Sequence, residues 1–128
     1  MRLLLDTHTA LWWVNEYEKL SPSAKNMLLD DVNELNISIA TLWEIAIKVS
    51  IGKMNGLSGG ISTFAAMLKQ MPVTLLPVAQ MHIQIVEKLP FIHRDPFDRL
   101  LVATAIAEGL TILTVDENIH SYDVKTVW

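Results

Sequence analysis

The chain has 128 residues, of which 51% are hydrophobic and 19% charged, and it carries a formal net charge of −4 with no cysteine. This length suits one domain covering residues 1–128, and the apolar fraction excludes a largely disordered chain. The missing cysteines exclude disulfides, thiolate metal sites and a cysteine nucleophile, and the acidic charge argues against binding nucleic acid through a basic surface alone. Because Asp6 interrupts the apolar run after Met1, we expect no signal peptide or membrane span, and a cytoplasmic protein.

Apolar segments typical of buried strands alternate along the chain with segments of helical period. This alternation predicts an α/β domain with a mostly parallel central sheet flanked by helices on both faces. The predicted strands cover residues 2–5, 34–39, 73–76, 111–115 and 125–128. The predicted helices cover residues 8–15, 40–51, 61–71, 78–89 and 95–108, with one more that starts at Pro22 after a Ser21 cap. Residues 53–60 and 90–94 are predicted to be connections.

Four acidic residues from separate segments are expected to meet at one edge of that sheet. Asp6 follows the first strand and Asp116 follows the strand over 111–115, so both lie at strand carboxyl ends, where such folds bind ligands. Glu44 lies in the helix that leaves the second strand, and Asp98 lies in the first turn of the helix over 95–108. Clustered carboxylates repel one another unless a cation neutralises them, and oxygen ligands without His or Cys select Mg²⁺ or Mn²⁺. The pattern therefore predicts a metal site that can act on a phosphodiester.

Three of these acids also have a purely structural interpretation. Asp6 can cap the helix that follows it, and Asp116 can cap a turn over the next two residues. Glu44 can pair with Lys48 one helical turn away, an interaction worth only about 0.2–0.5 kcal/mol. For Glu44 taken alone, the ion pair is the simpler explanation.

Asp98 has the strongest structural alternative of the four. In Asp95-Pro96-Phe97-Asp98, the first residue suits a helix cap, Pro96 suits the first turn, and Asp98 stands where a capping-box acid stands. Arg99 lies four residues after Asp95 and is expected to form a salt bridge with it. We therefore assign Asp95 to capping and Asp98 to the functional set.

Four short motifs, each containing one of these acids, occur in a characteristic order along the chain. They read Leu3-Leu4-Leu5-Asp6-Thr7, Thr41-Leu42-Trp43-Glu44-Ile45, His93-Arg94-Asp95-Pro96-Phe97-Asp98-Arg99-Leu100-Leu101-Val102-Ala103 and Leu113-Thr114-Val115-Asp116. Together with Tyr122 and Trp128 near the end, they resemble the PIN domain family, in the form common among VapC-type toxins of toxin–antitoxin pairs. The resemblance spans the whole chain, and its specificity lies in the ordered set.

The resemblance implies both an activity and a set of ligands. It implies an endoribonuclease that hydrolyses RNA with metal-activated water and leaves a 5′-phosphate and a 3′-hydroxyl, with Thr114 assisting through its hydroxyl. It also implies a cognate antitoxin that inhibits the enzyme, and a homodimer. Ile119 departs from the family pattern, in which many relatives carry an aromatic residue, and we expect this to affect packing rather than chemistry. The implied Mg²⁺ or Mn²⁺ ligands are Asp6, Glu44, Asp98 and Asp116.

Several other side chains are secondary candidates for the site or its partners. His8 and His93 flank acidic motifs, the former as a substrate contact and the latter as a helper that orients its loop. Arg94 and Arg99 are candidate phosphate contacts. Trp12 and its neighbour Trp13 cannot face the same way on a helix, so we expect one in the core and the other at an interface. The helices around residues 9–14, 45–51 and 61–68 are expected to receive an amphipathic antitoxin helix.

Other classes of function remain open at this point. The run Asp6-Thr7-His8-Thr9 nearly matches the Asp-x-Asp-x-Thr signature of phosphatases with an aspartate nucleophile, but His8 replaces the second aspartate. A phosphorylation receiver domain usually has neighbouring acids after its first strand and a lysine after its last, and neither is evident. A non-catalytic binding module, in which the acids are only structural, is distinguished by its failure to bind metal.

Overall fold

The computed structural model describes residues 1–54 and 56–128. Its centre is a five-stranded sheet with the order β3-β2-β1-β4-β5, in which every neighbouring pair of strands is parallel. The predicted α/β class is therefore confirmed. The strands are β1 (Arg2–Leu5), β2 (Glu34–Ser38), β3 (Thr74–Leu76), β4 (Thr111–Leu113) and β5 (Thr126–Val127).

Helices connect the strands and cover the sheet. Two short ones were not predicted, a 3₁₀ helix at Tyr17–Lys19 and a helix at Glu117–His120, because neither is long enough to show a helical period. Within residues 1–54 and 56–128, no helix is long and apolar enough to cross a membrane. The α-helices are α1 (Thr7–Asn15), α2 (Pro22–Leu29), α3 (Ile39–Ser50), α4 (Gly60–Leu68), α5 (Gln80–Lys88), α6 (Pro96–Glu108) and α7 (Glu117–His120).

Capping residues fix the ends of the predicted helices as expected. The Ser21 hydroxyl accepts the Ala24 N–H at 2.9 Å, and α2 begins at Pro22. Helix α6 ends at Gly109, whose φ of 66° lies in the left-handed region that favours glycine. These local signals therefore predicted the start of α2 and the end of α6 correctly.

Other boundaries differ from the prediction by a few residues. Strand β4 ends at Leu113 rather than at residue 115, and α4 ends at Leu68 rather than at residue 71. Of the predicted connection over residues 53–60, the last residue already belongs to α4, and Asn55 lies outside the described residues. None of these differences changes the order of the elements.

The sheet separates two hydrophobic cores. Leu3 and Leu5 point into a cluster with residues of α1 to α4, including Phe64, whereas Leu4 points into a cluster with α6, including Val102. All three leucines are fully buried, because side chains alternate between the two faces of a strand and both faces are covered. The continuous apolar run of β1 is thus explained by its central position.

The strand order reverses next to β1. From β1 the chain moves outward through β2 to β3, and it then returns to the other side of β1 to form β4 and β5. In open α/β sheets, ligands bind beyond the carboxyl ends of the strands at such a reversal. The residues that follow Leu5 and Leu113, which are paired in the sheet, therefore lie at the expected binding edge.

Candidate functional site

Asp6 lies directly beyond the carboxyl end of β1 and is almost completely buried, with 3% of its surface exposed. Its Oδ1 accepts the Thr9 N–H at 2.7 Å, so it caps α1. Its Oδ2 accepts a hydrogen bond from the hydroxyl of Thr114, which follows the neighbouring strand β4. The capping interpretation of Asp6 is correct, and the same side chain also faces the next strand end.

Burial raises the pKa of Asp6 above its ordinary value. The hydrogen bonds from Thr114 and Thr9 and the charge of His8 oppose this rise without cancelling it. A buried carboxylate with a raised pKa has too little positive charge around it, and a bound cation supplies that charge.

Asp116 is tied to the same hydroxyl. Its backbone N–H donates to Thr114 Oγ1 at 3.0 Å, and its Oδ1 caps α7 by accepting the Asn118 N–H at 2.8 Å. The predicted capping role of Asp116 is therefore confirmed. Thr114, which is fully buried, connects the first acid of the set to the fourth.

Glu44 is buried in α3 with only 4% of its surface exposed. Its Oε1 accepts a hydrogen bond of 2.6 Å from the hydroxyl of Thr7, the residue after Asp6. Its Oε2 forms the expected ion pair with Lys48, at 2.7 Å from Nζ. Because the Glu44 carboxylate is buried, its ion pair with Lys48 differs from an ordinary surface pair along a helix. The hydrogen bond from Thr7 holds this carboxylate toward the end of β1.

Asp98 does not form a capping box. Asp95 caps α6 alone, accepting the N–H groups of Phe97 and Asp98 at 2.9 and 3.1 Å. The Asp98 carboxylate turns instead to His93, whose Nε2 lies 3.1 Å from Oδ2. The assignment of Asp95 to capping is therefore confirmed, and the functional role of Asp98 stays a prediction.

Burial raises the pKa of Asp98 to about 6. The hydrogen bond to His93 opposes this rise, and the negative charges of Asp95, Asp116 and Glu44 add to it. Glu44 and Asp98 also line one cavity of about 10 Å³, close to the room for a single water molecule. Asp98 is thus close enough to Glu44 and Asp116 for their charges to affect its protonation.

The four acids come together as two linked pairs rather than as one closed set of ligands. The Thr114 hydroxyl joins the Asp6 carboxylate to the backbone N–H of Asp116, whereas the Glu44 and Asp98 side chains line one cavity. Within residues 1–54 and 56–128, no three His, Asp or Glu side chains are grouped tightly enough to hold an ion as they are placed. The donor chemistry nevertheless fits Mg²⁺ or Mn²⁺, because all four side chains are carboxylates and two of them have raised pKa values.

The expected salt bridge between Arg99 and Asp95 is wrong. The Arg99 guanidinium donates instead to the Tyr122 hydroxyl at 3.1 Å and to the Pro90 carbonyl at 3.0 Å. It is nearly fully buried, so Arg99 is no longer a candidate phosphate contact, whereas Arg94 is exposed and stays one. The helix spacing suggested the Asp95 pair, but it carried no information on the loop and the C-terminal segment that surround Arg99.

Sequence reasoning missed the roles of two residues at the site. Thr7 was recognised only as part of a motif, and nothing in the spacing indicated that its hydroxyl would hold Glu44. Tyr122 was noted only for family likeness, yet its hydroxyl lies 2.8 Å from His93 Nδ1. Both contacts join residues distant in sequence, so only the tertiary structure reveals them.

The remaining sequence expectations have mixed outcomes. Ile119 is fully buried in the core beside α6, which agrees with a packing role. Trp12 and Trp13 are both half-buried against the other core, and Trp12 meets the Trp128 ring at 5.9 Å. The expected division of the two tryptophans between core and interface is therefore not seen. His8 is exposed beside Trp12.

Comparison with known proteins identifies the family. The PIN domain family model matches residues 3–125. The chain belongs to the PIN domain family. Over 136 residues it is 29% identical to Ribonuclease VapC22 of Mycobacterium tuberculosis (strain ATCC 25618 / H37Rv), an alignment that covers 98% of each protein.

Two solved structures share the fold of this PIN domain. One is VapBC2 from Rickettsia felis bound to a DNA fragment from their promoter, with a TM-score of 0.75, 19% identity and coverage of 99% of this chain and 98% of that one. The other is FitAcB from Neisseria gonorrhoeae, with a TM-score of 0.64, 19% identity and coverage of 98% and 96%. The resemblance inferred from the four motifs is thereby confirmed at the level of the family and its fold.

Proposed function

We propose that this PIN domain is a Mg²⁺- or Mn²⁺-dependent endoribonuclease and the toxin of a cytoplasmic toxin–antitoxin pair. The observation that carries the proposal is the placement of the four acids at one sheet edge, where Glu44 and Asp98 line one cavity and Thr114 bonds both Asp6 and the backbone of Asp116. Acidic side chains brought together in this way need a cation to stay ionised together. The proposed ligands are Asp6, Glu44, Asp98 and Asp116.

The chain's own residues would prepare this site for phosphodiester hydrolysis. Thr114 and Thr9 hold the Asp6 carboxylate, and Thr7 holds Glu44. When bound, a divalent cation supplies positive charge that orients the phosphodiester and favours hydroxide over water as the attacking group. Lys48 already lies 2.7 Å from Glu44, so it is placed either to compete with the cation or to contact the incoming phosphate.

The ribonuclease and toxin assignments draw support from the relatives. The curated relative is named a ribonuclease and aligns with nearly the whole chain. The structural neighbours include a VapBC2 structure and a FitAcB structure, which supports an antitoxin partner for this PIN domain. An overall charge of −4 suits an enzyme that meets RNA through a bound cation rather than through a basic surface.

An apolar stripe on α3 supports the proposed homodimer. Ile39, Trp43, Ile47 and Ile51 follow one another at intervals of four residues, and all four side chains are exposed, Trp43 by 62%. A stripe of this spacing matches the ridge that packs against a second helix. Trp43 also meets the ring of Phe97, next to Asp98, so a second copy bound here would lie beside the acidic site.

A separate groove beside α1 is the proposed place for the antitoxin. It has a volume of about 420 Å³, and its apolar lining includes Leu11, Trp12, Met54 and Leu57. Of the large apolar side chains over residues 61–68, Phe64 and Leu68 are buried and Met67 is exposed. An amphipathic helix in this groove that carried a basic residue to the four carboxylates would exclude the cation.

The proposal is tested by incubating the purified chain with total cellular RNA, with DNA, and with a phosphate monoester, each with Mn²⁺ or with a chelator. We expect RNA cleavage in Mn²⁺ only, with 5′-phosphate ends on the products. Hydrolysis of the monoester with a covalent phosphate on Asp6 would instead establish the phosphatase alternative. A chain that binds no Mn²⁺ and cleaves nothing would be a binding module.

Co-expression with the protein encoded by the neighbouring short reading frame tests the toxin role separately. A stable complex without nuclease activity is the expected result. A chain that cleaves RNA, is harmless to cells and does not bind that neighbour would keep the nuclease function and lose the toxin role.

A further inference from the structure

We propose that His93 is a positioning residue for Asp98, supported by Tyr122 and Arg99, so that the Asp98 carboxylate keeps one orientation and its Oδ1 stays free for a cation. The inference rests on the proposed metal-dependent function. It extends that function to three residues that belong to a loop, to α6 and to the segment after α7. Neither His93 nor Tyr122 is among the proposed ligands.

Arg99 fixes which atoms donate and which accept in this network. A guanidinium has donors and no acceptor, so the Tyr122 oxygen must accept at the 3.1 Å contact between them. The same hydroxyl lies 2.8 Å from His93 Nδ1. Within residues 1–54 and 56–128, these are the two hydrogen-bond partners of the hydroxyl, and Tyr122 is only 4% exposed.

The hydroxyl hydrogen of Tyr122 therefore has one acceptor, the Nδ1 atom of His93. If Nδ1 carried the proton and donated instead, the buried hydroxyl would lose its acceptor, at a cost of about 1–3 kcal/mol. A neutral imidazole that accepts at Nδ1 carries its hydrogen on Nε2. Tyr122 thus favours the same tautomer of His93 that can donate to Asp98, and the orientation of the Tyr122 hydroxyl is set by Arg99.

The Nε2 hydrogen of His93 points to Asp98, whose Oδ2 lies 3.1 Å away. In the part of the chain that the structure describes, Oδ1 of the same carboxylate accepts no hydrogen bond. One oxygen of Asp98 is therefore taken by a fixed donor and the other is left for a cation. Hydrogen bonds behind a ligand typically set its orientation, and their loss costs about 10–100-fold in metal affinity or activity.

Arg99 makes further contacts at the far end of this chain of hydrogen bonds. Arg99 also donates to the Pro90 carbonyl at 3.0 Å, and its guanidinium lies 5.1 Å from the centre of the Phe91 ring. Arg99 follows Asp98 in α6, so the network begins and ends on neighbouring residues of one helix. The closed path gives His93 little freedom to turn away from Asp98.

The decisive variant is Tyr122→Phe, which removes the hydroxyl and keeps the ring, with the exposed Tyr17→Phe as matched control. In the metal-free protein, nitrogen NMR of His93 is expected to show the Nε2–H form in the wild type and a smaller share of that form in Tyr122→Phe, where only Asp98 still favours it. Calorimetry is expected to show Mn²⁺ binding weakened by about 10–100-fold. For RNA cleavage we expect a lower kcat with an unchanged KM, and Tyr17→Phe should match the wild type throughout.

A pair of variants at His93 separates positioning from packing. The glutamine amide of His93→Gln can still donate to Asp98, so it should recover part of the Mn²⁺ affinity that His93→Ala loses. The inference would be overturned if Tyr122→Phe and His93→Ala both bound Mn²⁺ as tightly as the wild type and differed from it only by a lower melting temperature. That result would leave the proposed nuclease intact. A wild-type chain that binds no Mn²⁺ and cleaves no RNA would overturn both.

Discussion

Thr114 donates its hydroxyl hydrogen to Asp6 across two adjacent parallel strands, β4 and β1. The two residues are brought together because each follows one member of the paired residues Leu5 and Leu113. The Thr114 oxygen also accepts the N–H of Asp116, at 3.0 Å. One buried hydroxyl therefore fixes both the side chain of the first acid and the backbone of the fourth.

Replacing Thr114 by valine is expected to impair the site while keeping its shape. Thr114→Val removes the donor to Asp6 and the acceptor for Asp116, and it leaves buried polar groups unpaired at a cost of about 1–3 kcal/mol. We expect RNA cleavage to fall about 10–100-fold, as for other groups that orient a metal ligand. Thr114→Ser keeps the hydroxyl and should cleave near the wild-type rate, and equal loss in both variants would contradict this role.

Mn²⁺ or Mg²⁺ is expected to raise the melting temperature of the metal-free protein. A ligand that binds only the folded state at 100 times its Kd stabilises by about 2.7 kcal/mol, and Mn²⁺ should bind at least as tightly as Mg²⁺. Thermal unfolding in a chelator and in each metal measures the shift. Asp6→Asn should lose most of the metal-induced rise in melting temperature, and Asp31→Asn, a change at an exposed residue, should keep it. An unchanged melting temperature at millimolar metal would favour the binding module.

In the absence of metal, Asp98→Asn is expected to stabilise the protein at pH 7. The pKa of Asp98 is about 6 in the folded state, against an ordinary value of 3.8, so the folded chain holds a proton that the unfolded chain has released. Stability must then fall as pH rises through that window. The loss of stability caused by the raised pKa of Asp98 is complete above about pH 6 and absent below the ordinary pKa of 3.8.

The expected gain for Asp98→Asn is roughly 1–2 kcal/mol at pH 7, after a discount for solvent screening, and close to zero at pH 4. Denaturant unfolding at both pH values, in a chelator, measures it. Asp31→Asn serves as the exposed control and should show no such difference between the two pH values. A variant less stable than the wild type at pH 7 would show that Asp98 is not strained by burial and by neighbouring charge.

The apolar stripe on α3 predicts the oligomeric state. Trp43→Glu and Ile47→Glu place a charge within the stripe and should convert a dimer to a monomer, since burying an unpaired charge is strongly unfavourable. Val32→Glu changes an apolar residue that is 83% exposed outside the stripe, and it should stay dimeric. Sedimentation or light scattering reads out the mass. A wild-type chain that is monomeric at all accessible concentrations would remove the dimer from the proposal.

Much of the fold was predictable because its signals are local. The buried runs of β1 and β2, the Ser21 and Asp95 caps and the stop at Gly109 each follow from neighbouring residues. The short helix α7 was not predictable, because four residues show no helical period. The hydrogen bond from Thr114 to Asp6 was not predictable either. That contact joins residues 108 positions apart.

The candidate site was predictable as a set of acids at strand ends but not as a network. Spacing placed Asp6 and Asp116 at one edge, and the family motifs selected Asp98 over Asp95. What holds each acid could not be read from the sequence, because Thr7, His93 and their partners meet only in the folded chain. The Arg99–Asp95 bridge failed for the same reason, since the buried guanidinium donates to Tyr122 and to the carbonyls of Pro90 and Val86.

The central claim is that four carboxylates act together in metal-dependent cleavage of RNA. Its most direct test is the initial rate of Mn²⁺-dependent RNA cleavage by Asp6→Asn, Glu44→Gln, Asp98→Asn and Asp116→Asn, each confirmed to be folded. The exposed residues Asp31→Asn and Glu18→Gln supply controls of matched chemistry. We predict that cleavage by all four site variants falls below detection while both controls cleave at the wild-type rate. Wild-type cleavage by Asp6→Asn and Asp98→Asn would contradict the account.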